Sequence, residues 1–164
     1  MIGKAMQDAM NEQINKELFS SYLYLSMAAY LETKNLPGFA HWMRVQESEE
    51  REHAMKFYDF IIERGGQVVL KAIDAPKIEW NSTMEIVEEV ATHEAKVSAS
   101  INGLYELALQ EKDYPAQIML QWFITEQVEE EKNAAEIVAS LKMIEAHETA
   151  VLQLDHRLGK RGND

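Results

Sequence analysis

Carboxylates recur at a fixed interval in this chain, inside stretches patterned as helices. Glu17, Glu49, Glu50, Glu52 and His53 are echoed 77 residues later by Glu94, Glu126, Gln127, Glu129 and Glu130. The apolar positions keep the same step: Phe39, Met43, Phe57 and Phe60 in the first half, Ala116, Leu120, Ala134 and Ile137 in the second. Two helical hairpins with carboxylates at matching depths satisfy this pattern. Packed together as a four-helix bundle, they place an acidic cluster inside their own core. Such a cluster is hard to account for without metal.

The rest of the chain supports an all-α fold. Its three prolines and seven glycines are scarce, and several group at Pro37-Gly38, Gly65-Gly66, Pro76 and Pro115, with long helix-compatible stretches between. The spacing predicts a first helix from about Lys4 to Lys34. A second follows Asn35-Leu36-Pro37-Gly38 and ends near Arg64. A third starts at an N-cap on Asn81 or Ser82, with Glu85 closing a capping box on Ser82, and ends near Glu111. A fourth begins around Pro115, a residue suited to a first helical turn, and runs to about Ile144. A short fifth spans about His147 to Leu158. The 164 residues are read as one domain, 1–164, with the bundle over about 4–144.

The links set the topology. Residues 35–38 and 111–114 are short and join antiparallel neighbours. The link from Gly65 to Asn81 is longer. A 16-residue extended segment reaches about 50 Å, whereas a helix of about 27 residues is about 40 Å long. The link can therefore cross the whole bundle and make the second and third helices parallel. Val68, Val69, Leu70 and Ile73 leave apolar surface on this crossover, read as a subunit interface. The fifth helix carries Val151, Leu152, Leu154 and Leu158. It covers either another subunit or the end of its own bundle.

Several function classes drop out. With no cysteine there is no disulfide, thiolate zinc site or thiol catalysis. The N-terminus Met1-Ile2-Gly3-Lys4-Ala5-Met6-Gln7-Asp8 lacks the apolar core of a signal peptide, and no apolar run approaches the roughly 18 residues of a membrane span. A soluble, cytoplasmic protein with no membrane partner is expected. A net charge of −12, with only Lys160-Arg161 as a basic pair at the C-terminus, argues against nucleic acid.

Tracing each helix at three-and-four spacing gives four inward stripes. They are Met10, Ile14, Glu17, Ser21, Tyr24, Ala28 and Leu31; Phe39, Met43, Gln46, Glu50, His53, Phe57, Phe60 and Arg64; Val87, Val90, Glu94, Val97, Ile101, Leu104 and Ala108; and Ala116, Leu120, Phe123, Gln127, Glu130, Ala134, Ile137 and Leu141. Polar residues interrupt all four near mid-bundle. Glu17, Glu50, Glu94 and Glu130 would carry four negative charges where Lys and Arg are largely missing, and two divalent cations match that charge. Glu50 and His53, three apart, point the same way and form the Glu-x-x-His element of di-iron carboxylate bundles. The matching segment reads Gln127-x-x-Glu130, so the two ion sites should be unequal. One would take Glu17, Glu50 and His53, the other Glu94, Glu130 and a bridging Glu50. Oxygen-rich ligands with one imidazole suit iron or manganese, and zinc would also bind. Glu49, Glu126 and Glu129 lie one step round the helices and form either a third cation site or an exposed acidic face. Tyr24 is either a core tyrosine with a bonded hydroxyl, or a hydrogen-bond partner to a metal ligand or an electron donor. Trp122 is read as packing, or as a nearby electron donor. His41, His93, His147 and His156 lack ligand spacing and are read as surface residues.

Along essentially its whole length the chain resembles the bacterial non-haem ferritins. The five helices, the crossover, Gln46-Glu47-Ser48-Glu49-Glu50-Arg51-Glu52-His53 and Glu126-Gln127-Val128-Glu129-Glu130 carry the resemblance. It implies a 24-subunit shell in which each subunit oxidises Fe(II) with dioxygen or peroxide at a di-iron ferroxidase centre and stores ferric oxide mineral inside. It also implies a first iron at Glu17, Glu50 and His53 and a second at Glu50, Glu94 and Glu130. A third iron would sit at Glu49, Glu126, Glu129 and Glu130, with Gln127 and Tyr24 beside the centre. The departures carry information too. Bacterioferritins have a second Glu-x-x-His and a haem-binding methionine where this chain has Gln127-x-x-Glu130 and Arg51-Glu52, so no haem is expected. The turn Ala116-Gln117-Ile118-Met119-Leu120 lacks the acidic pore residues of animal ferritins. The DNA-protecting miniferritins lack a fifth helix. A di-iron or di-manganese enzyme without storage, and a purely structural bundle, are the competing readings.

Overall fold

A computed structural model describes residues 1–144 and 147–162. Five helices account for its regular structure: α1 (Lys4–Thr33), α2 (Pro37–Glu63), α3 (Thr83–Gln110), α4 (Tyr114–Ile144) and α5 (Glu148–Leu158). Their bounds match the sequence reading to within one or two residues. α1 packs along α2 and α3 along α4, and α1 also touches α3. The fold is a four-helix bundle with a long crossover and a short C-terminal helix. No described helix is long and apolar enough to cross a membrane.

Hydrogen bonds trace the crossover along α1 from one end to the other. Near its start, Asn11 donates Nδ2–H to the Gln67 carbonyl at 3.0 Å, and its Oδ1 accepts from Val69 N–H at 2.7 Å. Further along, Ser26 Oγ donates to the Lys77 carbonyl at 2.6 Å, and the Tyr30 hydroxyl donates to the Trp80 carbonyl. The chain thereby reaches the far end of α1, where α3 begins. Ser82 is the N-cap there, its Oγ accepting from Glu85 N–H at 3.1 Å. The returning bond of the box goes to Asn81 N–H, which Glu85 Oε2 accepts at 2.7 Å. Val69, Leu70, Ile73 and Ile78 stay exposed on the crossover, whereas Val68 packs against the core.

The core is two apolar clusters. One, around Tyr24, Met27, Leu31, Phe39, Met43, Ile86, Val90 and Leu141, fills the end that holds α5. The other, around Met10, Ile14, Phe57, Ile61, Ile101, Leu120 and Phe123, fills the opposite end. Between them lies a buried polar layer. The predicted stripes of α1, α3 and α4 are buried throughout. On α2 the stripe drifts at its end, because 3.6 residues per turn carries Ile61 inward and leaves Phe60 and Arg64 half-exposed. Arg64 instead pairs with Asp113 at 2.9 Å.

The fifth helix covers the end of its own bundle. α5 packs across the end of its own bundle against α2 and α4, burying Leu154 and Leu158 and leaving Leu152 exposed. The contact with α2 is close. A Cβ on Gly38 would overlap the backbone carbonyl of Asp155. The start of α2 has no cap of its own, and Asp155 supplies one, its Oδ1 accepting from Phe39 N–H at 2.9 Å. Asp155→Ala should therefore cost about 1–2 kcal/mol, the usual worth of a lost N-cap. Gly38→Ala should cost about 2–3 kcal/mol, since a backbone carbonyl cannot swing aside. Denaturant titration checks both. Wild-type stability in the two variants would mean that α5 does not dock in this way.

Candidate metal centre

One turn of each bundle helix contributes to the mid-bundle layer, and helical spacing decides which side chains enter it. Glu50 and His53 are three apart on α2, so both face inward, opposite Glu17 of α1. Among the described residues, Glu17, Glu50 and His53 form a set whose ligating atoms all lie within 4.8 Å of one another. All three are buried. Glu94 of α3 and Glu130 of α4 are buried in the same layer.

Three of the four carboxylates accept from amide or phenol donors. Gln13 Nε2 donates to Glu17 Oε1 at 2.9 Å. Gln46 Nε2 donates to Glu130 Oε2 at 2.9 Å. Glu94 accepts from the Tyr24 hydroxyl on Oε1 and from Gln127 Nε2 on Oε2 at 3.2 Å. Gln127 also bonds Ser98 Oγ at 3.2 Å. His53 Nδ1 lies 3.4 Å from Glu50 Oε2. Two oxygens are left over: Glu17 Oε2 and Glu50 Oε1 are buried with no hydrogen-bond partner. A buried carboxylate oxygen without a donor is costly. Two of them in a set that also holds an imidazole fit a divalent cation.

The electrostatics point the same way. Burial, followed by the neighbouring charge of Glu50, holds the Glu17 carboxyl well above its ordinary range, against the opposing Gln13 amide. Burial and then Glu94 do the same to Glu50. Burial pushes Glu94 up to about 7 even though Tyr24 donates to it. Burial and the Glu94 charge raise Tyr24 in turn, which keeps its hydroxyl protonated and donating.

The outer carboxylates are arranged differently. Glu49 and Glu126 are half-buried and Glu129 is exposed. Glu49 is paired with Arg161 at 2.6 Å, an interaction that the sequence reading did not anticipate. Trp122 is partly exposed and packs edge-on to the His53 ring, with centroids 5.5 Å apart. Two histidines depart from the surface reading. His93 is half-buried against Tyr24 with Nε2 2.7 Å from Ser20 Oγ, and burial lowers it to about 4. His41 is half-buried, with Nε2 2.8 Å from the Arg161 carbonyl. His147 and His156 are exposed as expected.

Four helices that converge carboxylates and one imidazole on a buried layer define a carboxylate-type metal-binding bundle. Within that class the chain belongs to the ferritin family, whose model, described as a ferritin-like domain, matches residues 7–144. It is 42% identical over 161 residues to a bacterial non-heme ferritin of Bacteroides fragilis, covering 98% of this chain and 100% of that protein. It is 35% identical over 164 residues to one of Staphylococcus aureus, covering 100% of this chain and 99% of that protein. An open-pore ferritin from the hyperthermophilic archaeon Archaeoglobus fulgidus superposes with a TM-score of 0.97 at 48% identity, over 98% of this chain and 99% of that one.

The raised carboxyls set a pH dependence. The folded protein keeps a proton on Glu94 up to about pH 7, whereas the unfolded chain releases it near 4.5. Across that interval the folded state binds more protons, so stability falls as pH rises. Glu17 and Glu50 shift in the same direction. The melting temperature of the metal-free protein should drop between pH 5 and pH 7.5. Glu94→Gln should flatten that slope, and saturating Zn(II) should restore stability at the higher pH. A pH profile identical in Glu94→Gln and wild type would remove Glu94 as its source.

Proposed function

We propose that this chain is an iron-storage ferritin with ferroxidase activity. Fe(II) is its substrate and dioxygen or peroxide the oxidant. In this reading Glu17, Glu50 and His53 bind one Fe(II), and Glu50, Glu94 and Glu130 a second. Glu50 bridges the two, and Glu49, Glu126, Glu129 and Glu130 take a third. The observation that carries the reading is the pair of unpartnered buried oxygens, Glu17 Oε2 and Glu50 Oε1, in one cluster with His53. Two Fe(II) ions bring four positive charges against the four carboxylates and remove the desolvation penalty that holds their protons on.

The chain's own residues then have separate tasks. Gln13 and Gln46 each fix one oxygen of Glu17 and Glu130, which orients the other toward the metal space, and Gln127 holds Glu94. Tyr24 donates to Glu94 and restrains it. The apolar clusters above and below exclude water. Each Fe(II) gives up one electron, and two together reduce dioxygen to the peroxide level, or peroxide to water, with protons taken from solvent. Ferric products pass to a ferric oxide mineral within a 24-subunit shell. The exposed apolar side chains of the crossover, Val69, Leu70, Ile73 and Ile78, are the surface offered to a neighbouring subunit.

Glu50→Ala removes the bridge. It should slow Fe(II) oxidation, followed by ferric absorbance in stopped flow, by roughly a hundredfold or more while assembly persists. Oxidation at the wild-type rate would sink the assignment. Storage is tested separately: excess Fe(II) is added in air, the protein is passed over a sizing column, and iron is counted per chain. Iron far beyond the few equivalents of the centre, held in a large assembly, is expected. A plateau at two or three per chain would make this a di-metal enzyme without a store.

A further inference from the structure

Beyond α5, the chain returns to the outer carboxylates. Arg161 Nη2 pairs with Glu49 Oε2 at 2.6 Å, and Nη1 donates to Gln46 Oε1. The guanidinium carbon lies 4.8 Å from the centre of the Trp42 ring. The Arg161 backbone is held as well, its N–H donating to the Leu158 carbonyl at 3.3 Å and its own carbonyl facing His41 Nε2. The head group is thus fixed by an ion pair, a hydrogen bond and an aromatic face at once.

Both partners lead to the metal cluster. Glu49 precedes the bridging Glu50. Gln46, its carbonyl oxygen taken by Arg161, can present only its NH₂ inward, and Nε2 donates to Glu130 at 2.9 Å. A guanidinium carries a permanent positive charge. Arg161 therefore places that charge against one of the carboxylates assigned above to the third cation, and it sets the orientation of the amide that bonds another. No other Lys or Arg is paired with Glu49, Glu126, Glu129 or Glu130 among the described residues.

We propose that Arg161 is a tethered counter-cation of the third site: it occupies Glu49 in the empty protein and must be displaced before a third divalent ion can bind there. This rests on the di-metal reading of the inner cluster. The two inner positions would fill first, and third-site occupancy would be coupled to release of the C-terminal segment from α2.

The test is anaerobic calorimetric titration of the assembled protein with Zn(II), which binds without turnover. Wild type should show two tight equivalents and a weaker third. Arg161→Gln should tighten the third by roughly two- to fivefold, the range expected for a partly exposed ion pair. Arg161→Lys should return the third toward wild type, because the charge is kept. Glu49→Gln should abolish the third in either background. A third equivalent of equal affinity in wild type and Arg161→Gln, or its absence from both, overturns the proposal. Loss of the two tight equivalents from every protein would remove the di-metal reading and this inference with it.

Discussion

The cost of burying four carboxylates at one level organises this molecule. Glu17, Glu50, Glu94 and Glu130 are each nearly inaccessible to water, and the apolar clusters on either side lower the local dielectric. A structural protein would neutralise such a layer with Lys or Arg. Here the donors are amides and one phenol, Gln13, Gln46, Gln127 and Tyr24, which bind oxygens without cancelling charge. They hold geometry and leave the electrostatic problem unsolved. That combination makes sense when the missing charge arrives as a cation.

The internal repeat shows where the two halves were allowed to diverge. Glu17 corresponds to Glu94, so each half keeps one carboxylate on its leading helix. Glu50 and His53 correspond to Gln127 and Glu130, which gives one half a carboxylate and an imidazole and the other an amide and a carboxylate. The supporting shell diverges further. Gln13, Tyr24 and Gln46 correspond to Val90, Ile101 and Phe123. These three polar supports come from α1 and α2, beside Gln127 of α4, and two of them reach across to carboxylates of the other hairpin: Tyr24 to Glu94, Gln46 to Glu130. The hairpins are repeated in fold but specialised in chemistry, and these cross-bonds tie them at the level of the site.

Sequence periodicity revealed the site's inner ring because each residue in it obeys its own helix. Glu17, Glu50, His53, Glu94, Gln127 and Glu130 lie on inward stripes, and no knowledge of the packing is needed to place them. The crossover was legible from length alone, since 16 residues can span a helix that 4 cannot. Gln13 escaped notice although it stands one turn before Glu17 on the same face. A glutamine beside an apolar stripe carries no signal until its partner is known. Asp155 and Arg161 were illegible for a stronger reason. Their partners, Phe39 and Glu49, lie more than a hundred residues away, and no periodicity links a C-terminal tail to the start of α2. Lys160-Arg161 reads in the sequence only as a small basic pair, which is silent about the ion pair that Arg161 makes with Glu49.

The C-terminal segment is electrostatically matched to α2 at two points of opposite sign. At the helix start, where unpaired N–H groups and the dipole are positive, it offers the Asp155 carboxylate. About ten residues along, where Glu49 is negative, it offers the Arg161 guanidinium. His41, between them, holds the Arg161 carbonyl. A rigid bundle end needs only the first contact, because capping α2 and burying Leu154 and Leu158 already dock α5. The second contact adds little to that docking, since the pair is partly exposed. Its consequence falls on the site: it sets a positive charge beside the carboxylates and fixes the Gln46 amide toward Glu130. The same stretch of chain that closes the bundle is thereby an outer wall of the carboxylate layer.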